Sequence, residues 1–154
     1  MIRKATHNDI HAISDLYNEQ FREMAKLAPD FIKEGNQETK FIEKIIDEKD
    51  SDILIFENEG IVVGFILLQI QTRASFDFFV NANAKSCYIM DIVVTENSRN
   101  KGFGTAMLNS AKEWAKEHDC IFINLDVLSG NDRAIALYEK AGFVPKALEM
   151  YSML

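Results

Sequence analysis

Apolar residues in the first third of the chain recur at helical spacing. Ile10, Ile13, Leu16, Tyr17, Phe21 and Met24 fall three or four positions apart, or seven, which puts them on one face of a helix that Asn8 or Asp9 can cap and Pro29 bounds. Residues 2–6 before it read as a short strand. A loop over residues 28–35 carries Phe31 and Ile32, and beyond it Phe41, Ile42, Ile45 and Ile46 share the apolar face of a second helix with Thr39 as its cap. The period then changes. Residues 53–57 and 61–72 are rich in β-branched side chains, and Asn58-Glu59-Gly60 between them predicts a tight hairpin. Gly64 marks a bulge or a close backbone approach.

Residues 74–85 carry Phe76, Phe78, Phe79 and Val80. They fit a strand extension or an apolar loop, suited to an oligomer contact such as a homodimer or to a substrate wall. Residues 88–94 form an apolar strand holding one acid, Asp91. A helix over residues 102–118 buries Leu108, Ala111, Trp114 and Ala115, and residues 121–127 make the next strand. A helix over residues 132–141 ends at Gly142, a suitable left-handed residue after a helix. Phe143 then starts a last strand in which Leu148, Met150 and Met153 mark the apolar positions. The order β-α-α-β-β-β-α-β-α-β predicts one α/β domain over residues 1–154, a mixed sheet with helices on its faces.

At 154 residues, 47% of them hydrophobic, the chain can bury one sizeable core. No apolar run approaches the roughly 20 residues of a membrane span, and the N-terminus lacks the basic-then-apolar layout of a signal peptide, so a cytoplasmic protein without membrane partners is expected. A net charge of −7 argues against nonspecific nucleic-acid binding, and an acidic surface can attract a cationic substrate. Cys87 and Cys120 read as reduced packing thiols. His7, His11 and His118 do not complete a ligand set, and no metal cofactor is expected.

The candidate chemistry lies after the acid-bearing strand, where the chain reads Arg99-Asn100-Lys101-Gly102-Phe103-Gly104-Thr105. Two closely spaced glycines let backbone approach a ligand, and the first amides of the following helix carry the positive end of its dipole. An anion such as a pyrophosphate fits there, with Arg99 and Lys101 adding charge and Thr105 a hydroxyl or an N–H. The alternative makes Arg99 and Lys101 solvated loop charges. Met107 stands where a dinucleotide fingerprint needs a third small residue, and Gly-Phe-Gly-Thr replaces the Gly-Lys-Ser/Thr of a P-loop.

Arg-x-x-Gly-x-Gly after a strand resembles the coenzyme A pyrophosphate loop of the GNAT superfamily of N-acetyltransferases. Residues 131–143, from Asn131 through Ala134, Leu137, Tyr138, Glu139 and Lys140 to Gly142 and Phe143, match the family's Asn-x-x-Ala-x-x-Leu-Tyr-Glu-Lys-x-Gly-Phe segment. Residues 2–9 resemble its first strand and helix cap. The resemblance implies a mostly antiparallel twisted sheet with helices on both faces, in which the strands ending at Val94 and near Val127 splay apart to admit acetyl-CoA. Backbone of Ile92, Val93 and Val94 would pair with pantetheine amides, and residues 99–105 would hold the pyrophosphate.

Transfer of an acetyl group to an amine requires an unprotonated nucleophile, stabilisation of a tetrahedral intermediate and a proton for the thiolate. A base that removes the last proton of an amine of pKa near 10.4 offsets roughly 4–5 kcal/mol at neutral pH. Tyr138 matches the family's proton donor to sulfur; the alternative is a tyrosine held only by ring packing. Asp91 is the candidate base, an ordered-water site or an ammonium ligand, the alternative being an ion pair or an outward-facing acid. Asn131 is a helix cap, a ligand near the sulfur, or both. The leading reading is an acetyl-CoA-dependent N-acetyltransferase acting on a small cationic amine. Protein N-termini or lysines as acceptors, and a non-catalytic acyl-CoA sensor or interaction module, are the competing ones.

Overall fold

Residues whose side chains are apolar on both faces have to lie between two layers, and this puts one segment at the centre of the sheet. The computed structural model describes residues 1–72 and 84–154; the expectation for residues 74–85 lies, up to residue 83, outside them. Strands β1 (Ile2–Lys4), β2 (Ser51–Asn58), β3 (Ile61–Thr72), β4 (Lys85–Val94) and β5 (Phe122–Leu125) form one open sheet in sequence order. The first four are antiparallel and β5 runs parallel to β4. In β3, residues 63–68 are buried without a break.

The helices divide between the two faces. Helices α1 (Ile10–Leu27) and α2 (Thr39–Asp47) cover Ile53, Ile55, Phe65 and Leu67, while α3 (Phe103–Glu117) and α4 (Asp132–Lys140) cover Ile66, Leu68, Cys87 and Ile89. The β2–β3 hairpin turns through Glu59 and Gly60, both at positive φ (51° and 80°), as a two-residue loop matched to strand twist requires. Gly64 combines both sequence expectations. It follows a register shift against β2, and a Cβ there would lie 2.5 Å from the Val93 carbonyl oxygen of β4.

Three local expectations are corrected. The Asp9 carboxylate does not cap α1; it turns back to accept from the Thr6 N–H at 2.8 Å and from Arg3 at 2.9 Å, so a 3-10 turn over His7–Asp9 leads into the helix. Thr39 is the first residue of α2, preceded by Glu38, and its hydroxyl makes no cap. The tail after Phe143 is no strand of the sheet. Residues 144–154 are exposed and make no main-chain hydrogen bond among the described residues, and an alternating pattern becomes a strand only beside a partner.

Arg3, with help from Thr6, holds the buried Asp9 carboxyl down at about 2, below its usual 3.8. Its contribution to stability is therefore complete above pH 3.8 and is lost as pH falls toward 2. Asp9→Asn should lower unfolding free energy by about 2 kcal/mol at pH 7. Urea titrations should show the gap from the unaltered protein closing over that acid window.

Candidate active site

The candidate constellation is assembled by one extra residue in β4. Leu67 of β3 pairs with Asp91 but Leu68 pairs with Ile89, which leaves Met90 as a bulge. Strand residues alternate between faces, so Asp91 would otherwise share the α3 face with Cys87 and Ile89. Met90 and Val93 instead pack with the α1–α2 cluster, and Ile92 and Val94 with the α3–α4 cluster. The bulge thus turns Asp91 toward α1, where the Tyr17 hydroxyl donates to Oδ2 at 2.7 Å and the Gln20 amide to Oδ1 at 3.3 Å.

The same place ends the pairing with β5. The last matched residues are Ile89 and Leu125, and from Met90 onward β4 has no strand on that side among the described residues. A cavity of about 640 Å³ opens in the gap, floored by residues 89–94 and walled by the start of α3, the end of β5, α4 and the C-terminal half of α1.

At the far end of β4 the chain enters α3 through left-handed residues at Asn100 (φ 61°) and Gly102 (φ 83°). Gly102 is the N-cap and no side chain caps the helix. Ala106 N–H makes the first helical bond, to the Gly102 carbonyl; the amides of Phe103, Gly104 and Thr105 precede it, and all three residues line the cavity. The Phe103 ring is held away by stacking on Phe56 at 4.3 Å. Gly104 has a packing reason for its missing side chain, since a Cβ would lie 2.9 Å from the Leu137 side chain of α4.

The structure brings Asp91, Ile92, Val93, Val94, Arg99, Asn100, Gly102, Phe103, Gly104, Thr105, Asn131, Ala134 and Tyr138 to this cavity. Lys101 is exposed and stands outside its wall. The Arg99 guanidinium is engaged, with Nε donating to the Val94 carbonyl at 2.9 Å and the two terminal nitrogens on Glu23 at 2.6 Å and Glu19 at 3.5 Å. Glu19 also accepts from Thr95 and from the Glu96 amide. The loop is tied to α1 through these two acids. Asn131 does cap α4, its Oδ1 accepting from the Ala134 N–H at 3.2 Å.

Tyr138 is fixed by the way α4 ends. Phe143 N–H bonds the Tyr138 carbonyl and Gly142 N–H bonds that of Glu139, with Gly142 at φ 87°, and the Phe143 and Tyr138 rings lie 5.9 Å apart. Its hydroxyl has no hydrogen-bond partner among the described residues. Burial, and then the charge of Asp91, push its phenol up to about 12, so it keeps its proton at neutral pH. Burial also raises Asp91 above the usual 3.8, against the lowering effect of the Tyr17 and Gln20 donors.

Tyr17, Gln20, Glu19 and Glu23 were not singled out by sequence. Tyr17 reads as one more apolar position of α1, and the available signal was that a buried tyrosine hydroxyl and a buried carboxylate each need a partner.

With this geometry in view, the family model described as the acetyltransferase (GNAT) family matches residues 10–143. The chain belongs to the GNAT family. It is 32% identical to the uncharacterized N-acetyltransferase YhfO of Bacillus subtilis (strain 168) over 143 residues, 92% of this chain and 88% of that one. Streptothricin acetyltransferase A of the same organism is 30% identical over 155 residues, covering 97% and 88%. In fold, a mutant of the BH1408 protein of Bacillus halodurans superposes with a TM-score of 0.93 at 23% identity, over 100% of this chain and 99% of that one. As a GNAT member the protein is an acetyl-CoA-dependent N-acetyltransferase. Among the described residues no cluster of His, Cys, Asp and Glu can hold a metal ion, and no helix is long and apolar enough to cross a membrane.

The residues fit acetyl-CoA on three grounds: an uncapped helix start facing the cavity, a β4 edge left free of β5, and a left-handed turn at Gly102. Tyr17→Phe tests the partner of Asp91. Loss of that donor should move the Asp91 titration, followed by carboxyl NMR, further above 3.8, with a stability cost of about 1–3 kcal/mol. An unmoved titration would show that the Tyr17 bond does not govern the charge of Asp91.

Proposed function

We propose that the protein transfers an acetyl group directly to the primary amine of a small cationic acceptor, with Asp91 receiving the proton of the amine and Tyr138 supplying one to the departing thiolate. The observation that carries this reading is the bulge-directed Asp91 sharing one cavity with the Tyr138 phenol and the open start of α3. Asp91 lies three positions before Val94, about 10 Å along the strand at roughly 3.3 Å per residue, so the carboxylate and the anion-binding turn are separated along the floor.

When bound, acetyl-CoA supplies an acetyl group activated as a thioester. The amides of Phe103, Gly104 and Thr105 would hold its pyrophosphate, with Asn100 and Gly102 shaping the turn and Arg99, engaged by Glu19 and Glu23, fixing the loop to α1. The free edge of Ile92, Val93 and Val94 offers N–H and C=O groups to the pantetheine arm as an added strand would. Asn131 and Ala134 border that arm from α4. Tyr138, which keeps its proton at neutral pH, is a donor rather than a base. Asp91 suits the opposite role, since burial raises its affinity for a proton while two donors keep a charged form accessible.

The cationic acceptor is supported by the cavity's acids. Asp91 and Asp126 line it without a cation paired to either among the described residues, Asp126 held by the Tyr88 hydroxyl at 2.9 Å, whereas Glu23, also in the wall, is paired with Arg99 and Arg133. The relative named for streptothricin gives a small-molecule precedent.

The test is release of free CoA thiol across a panel of polyamines, amino sugars and peptides. Transfer confined to peptides would replace the acceptor class, and cofactor binding without transfer would leave a sensor. With a working acceptor, turnover should rise with pH through a titration above 3.8, a limb that Asp91→Asn removes. Tyr138→Phe should bind acetyl-CoA normally and lose about 100- to 10,000-fold in single-turnover rate. Gly102→Ala, strained at its positive φ, should weaken acetyl-CoA binding by about tenfold, read by calorimetry.

A further inference from the structure

The residues of the cavity divide between the two faces of the sheet. Ile123 and Leu125 of β5 pack in the α3–α4 cluster, so Asp126, the residue after Leu125, falls on the opposite face. Tyr88 marks the side. It stands between Cys87 and Ile89, which face α3, and its hydroxyl donates to Asp126 Oδ2 at 2.9 Å. The bulge at Met90 carries Asp91 to that same face, whereas Tyr138 packs in the α3–α4 cluster. The two carboxylates therefore flank the opening between β4 and β5 from one side, and the phenol meets it from the other.

Among the described residues neither carboxylate is paired with a cation, while Asp9, Asp52, Glu19 and Glu23 each are. Leu125 is matched to Ile89, which puts Asp126 one position past the last pair and Asp91 two. With strands about 4.8 Å apart and about 3.3 Å per residue, the two backbones are about 6 Å apart where the strands part. Acids this close repel, and a ligand carrying two cations relieves both. Other groups of the same cavity also want a partner. The Tyr138 hydroxyl, on a side chain only 9% exposed, has none among the described residues, and Gln20, whose amide nitrogen serves Asp91, leaves its own oxygen without a donor.

We propose that Asp126, steered by Tyr88, holds a second ammonium group, so that the acceptor is a short diamine whose reacting nitrogen lies at Asp91. This rests on the reading of Asp91 as the acid that meets the reacting amine. The spacing of the carboxylates calls for a few methylenes between the two nitrogens. Acetylation turns one ammonium into a neutral amide, and the product turned end for end would set that amide against Asp126. One acetyl group per molecule follows.

Release of free CoA thiol with butylamine, diaminobutane and diaminooctane tests the pairing. Diaminobutane should exceed butylamine by at least about tenfold in kcat/KM, the worth of a hydrogen bond between charged groups. Diaminooctane should lose most of that advantage, and mass spectrometry should find a single acetyl group on each diamine. Asp126→Asn should abolish the preference for diaminobutane over butylamine, and Tyr88→Phe should reduce it. A preference unchanged in Asp126→Asn would overturn the inference. So would a fall shared equally by both amines, the mark of a carboxylate with a structural role only, or diaminobutane without advantage in the unaltered protein.

Calorimetric binding of the same amines separates this inference from the reading beneath it. A binding preference for diaminobutane that Asp126→Asn removes, in a protein that transfers no acetyl group, would keep Asp126 as a cation site and strike the catalytic role of Asp91. Transfer without a binding preference would strike Asp126 alone. Should Asp126→Asn fail to fold, the two spacer lengths on the unaltered protein decide: equal affinity for diaminobutane, diaminooctane and butylamine overturns the inference.

Discussion

The bulge at Met90 is the constraint from which the site follows, because a strand has a period of two and a single added residue inverts every side chain beyond it. Before it, Cys87 and Ile89 pack toward α3; after it, Val93 packs toward α1. Asp91 crosses the sheet with them. The inversion coincides with the last pair to β5, so the element that aims the carboxylate also ends the parallel ladder and leaves a polar edge along the cavity floor. One local irregularity therefore supplies both an acid and an edge free of β5.

Helix α1 is the second organiser, and it works through polar groups on an otherwise apolar face. Tyr17 is buried by Phe21, Phe41 and Phe65, which hold its ring and leave its hydroxyl one direction to point. One turn further on, Gln20 reaches the same carboxylate, and Glu19 and Glu23 hold Arg99, Thr95 and Glu96 of the connection between β4 and α3. Glu23 also meets Arg133 of α4 at 3.4 Å. Asp91, the turn at Gly102 and α4 are thus referred to one rigid helix, which makes their spacing a property of the core rather than of the loops.

Features decided within a few residues were legible in the sequence. The Glu59-Gly60 turn, the Gly142 helix end and the loop from Arg99 to Thr105 depend on φ preferences and neighbouring amides, and each lies where its residues point. Features that need a distant partner were not. The bulge exists only in register with β3, the role of Tyr17 only against Asp91, and the engagement of Arg99 only against acids some 80 positions away. The tail shows the same limit from the other side. Its alternation is a correct local pattern, yet a strand is a relation between segments, and among the described residues the segment pairs with none. Gly104 was legible as a necessary glycine for a different reason from the one observed, the approach of Leu137 rather than a ligand alone.

The chemistry proposed for Asp91 rests on a balance that neither burial nor hydrogen bonding gives alone. A carboxyl with no donors in this cluster would remain neutral, because desolvation disfavours its charge, and a neutral acid takes no proton. One held by several strong donors would sit far below the usual range, as Asp9 does beside Arg3, and its conjugate base would be too weak to draw a proton from an amine. Asp91 has a phenol and an amide as donors and, among the described residues, no cation as a hydrogen-bond partner. Its proton affinity is therefore raised by burial without the charged form being excluded. An incoming ammonium group would provide the missing countercharge, so the substrate itself shifts Asp91 toward the ionised state in which it can accept a proton. On the proposed reading, a cationic acceptor and an aspartate base are one requirement rather than two.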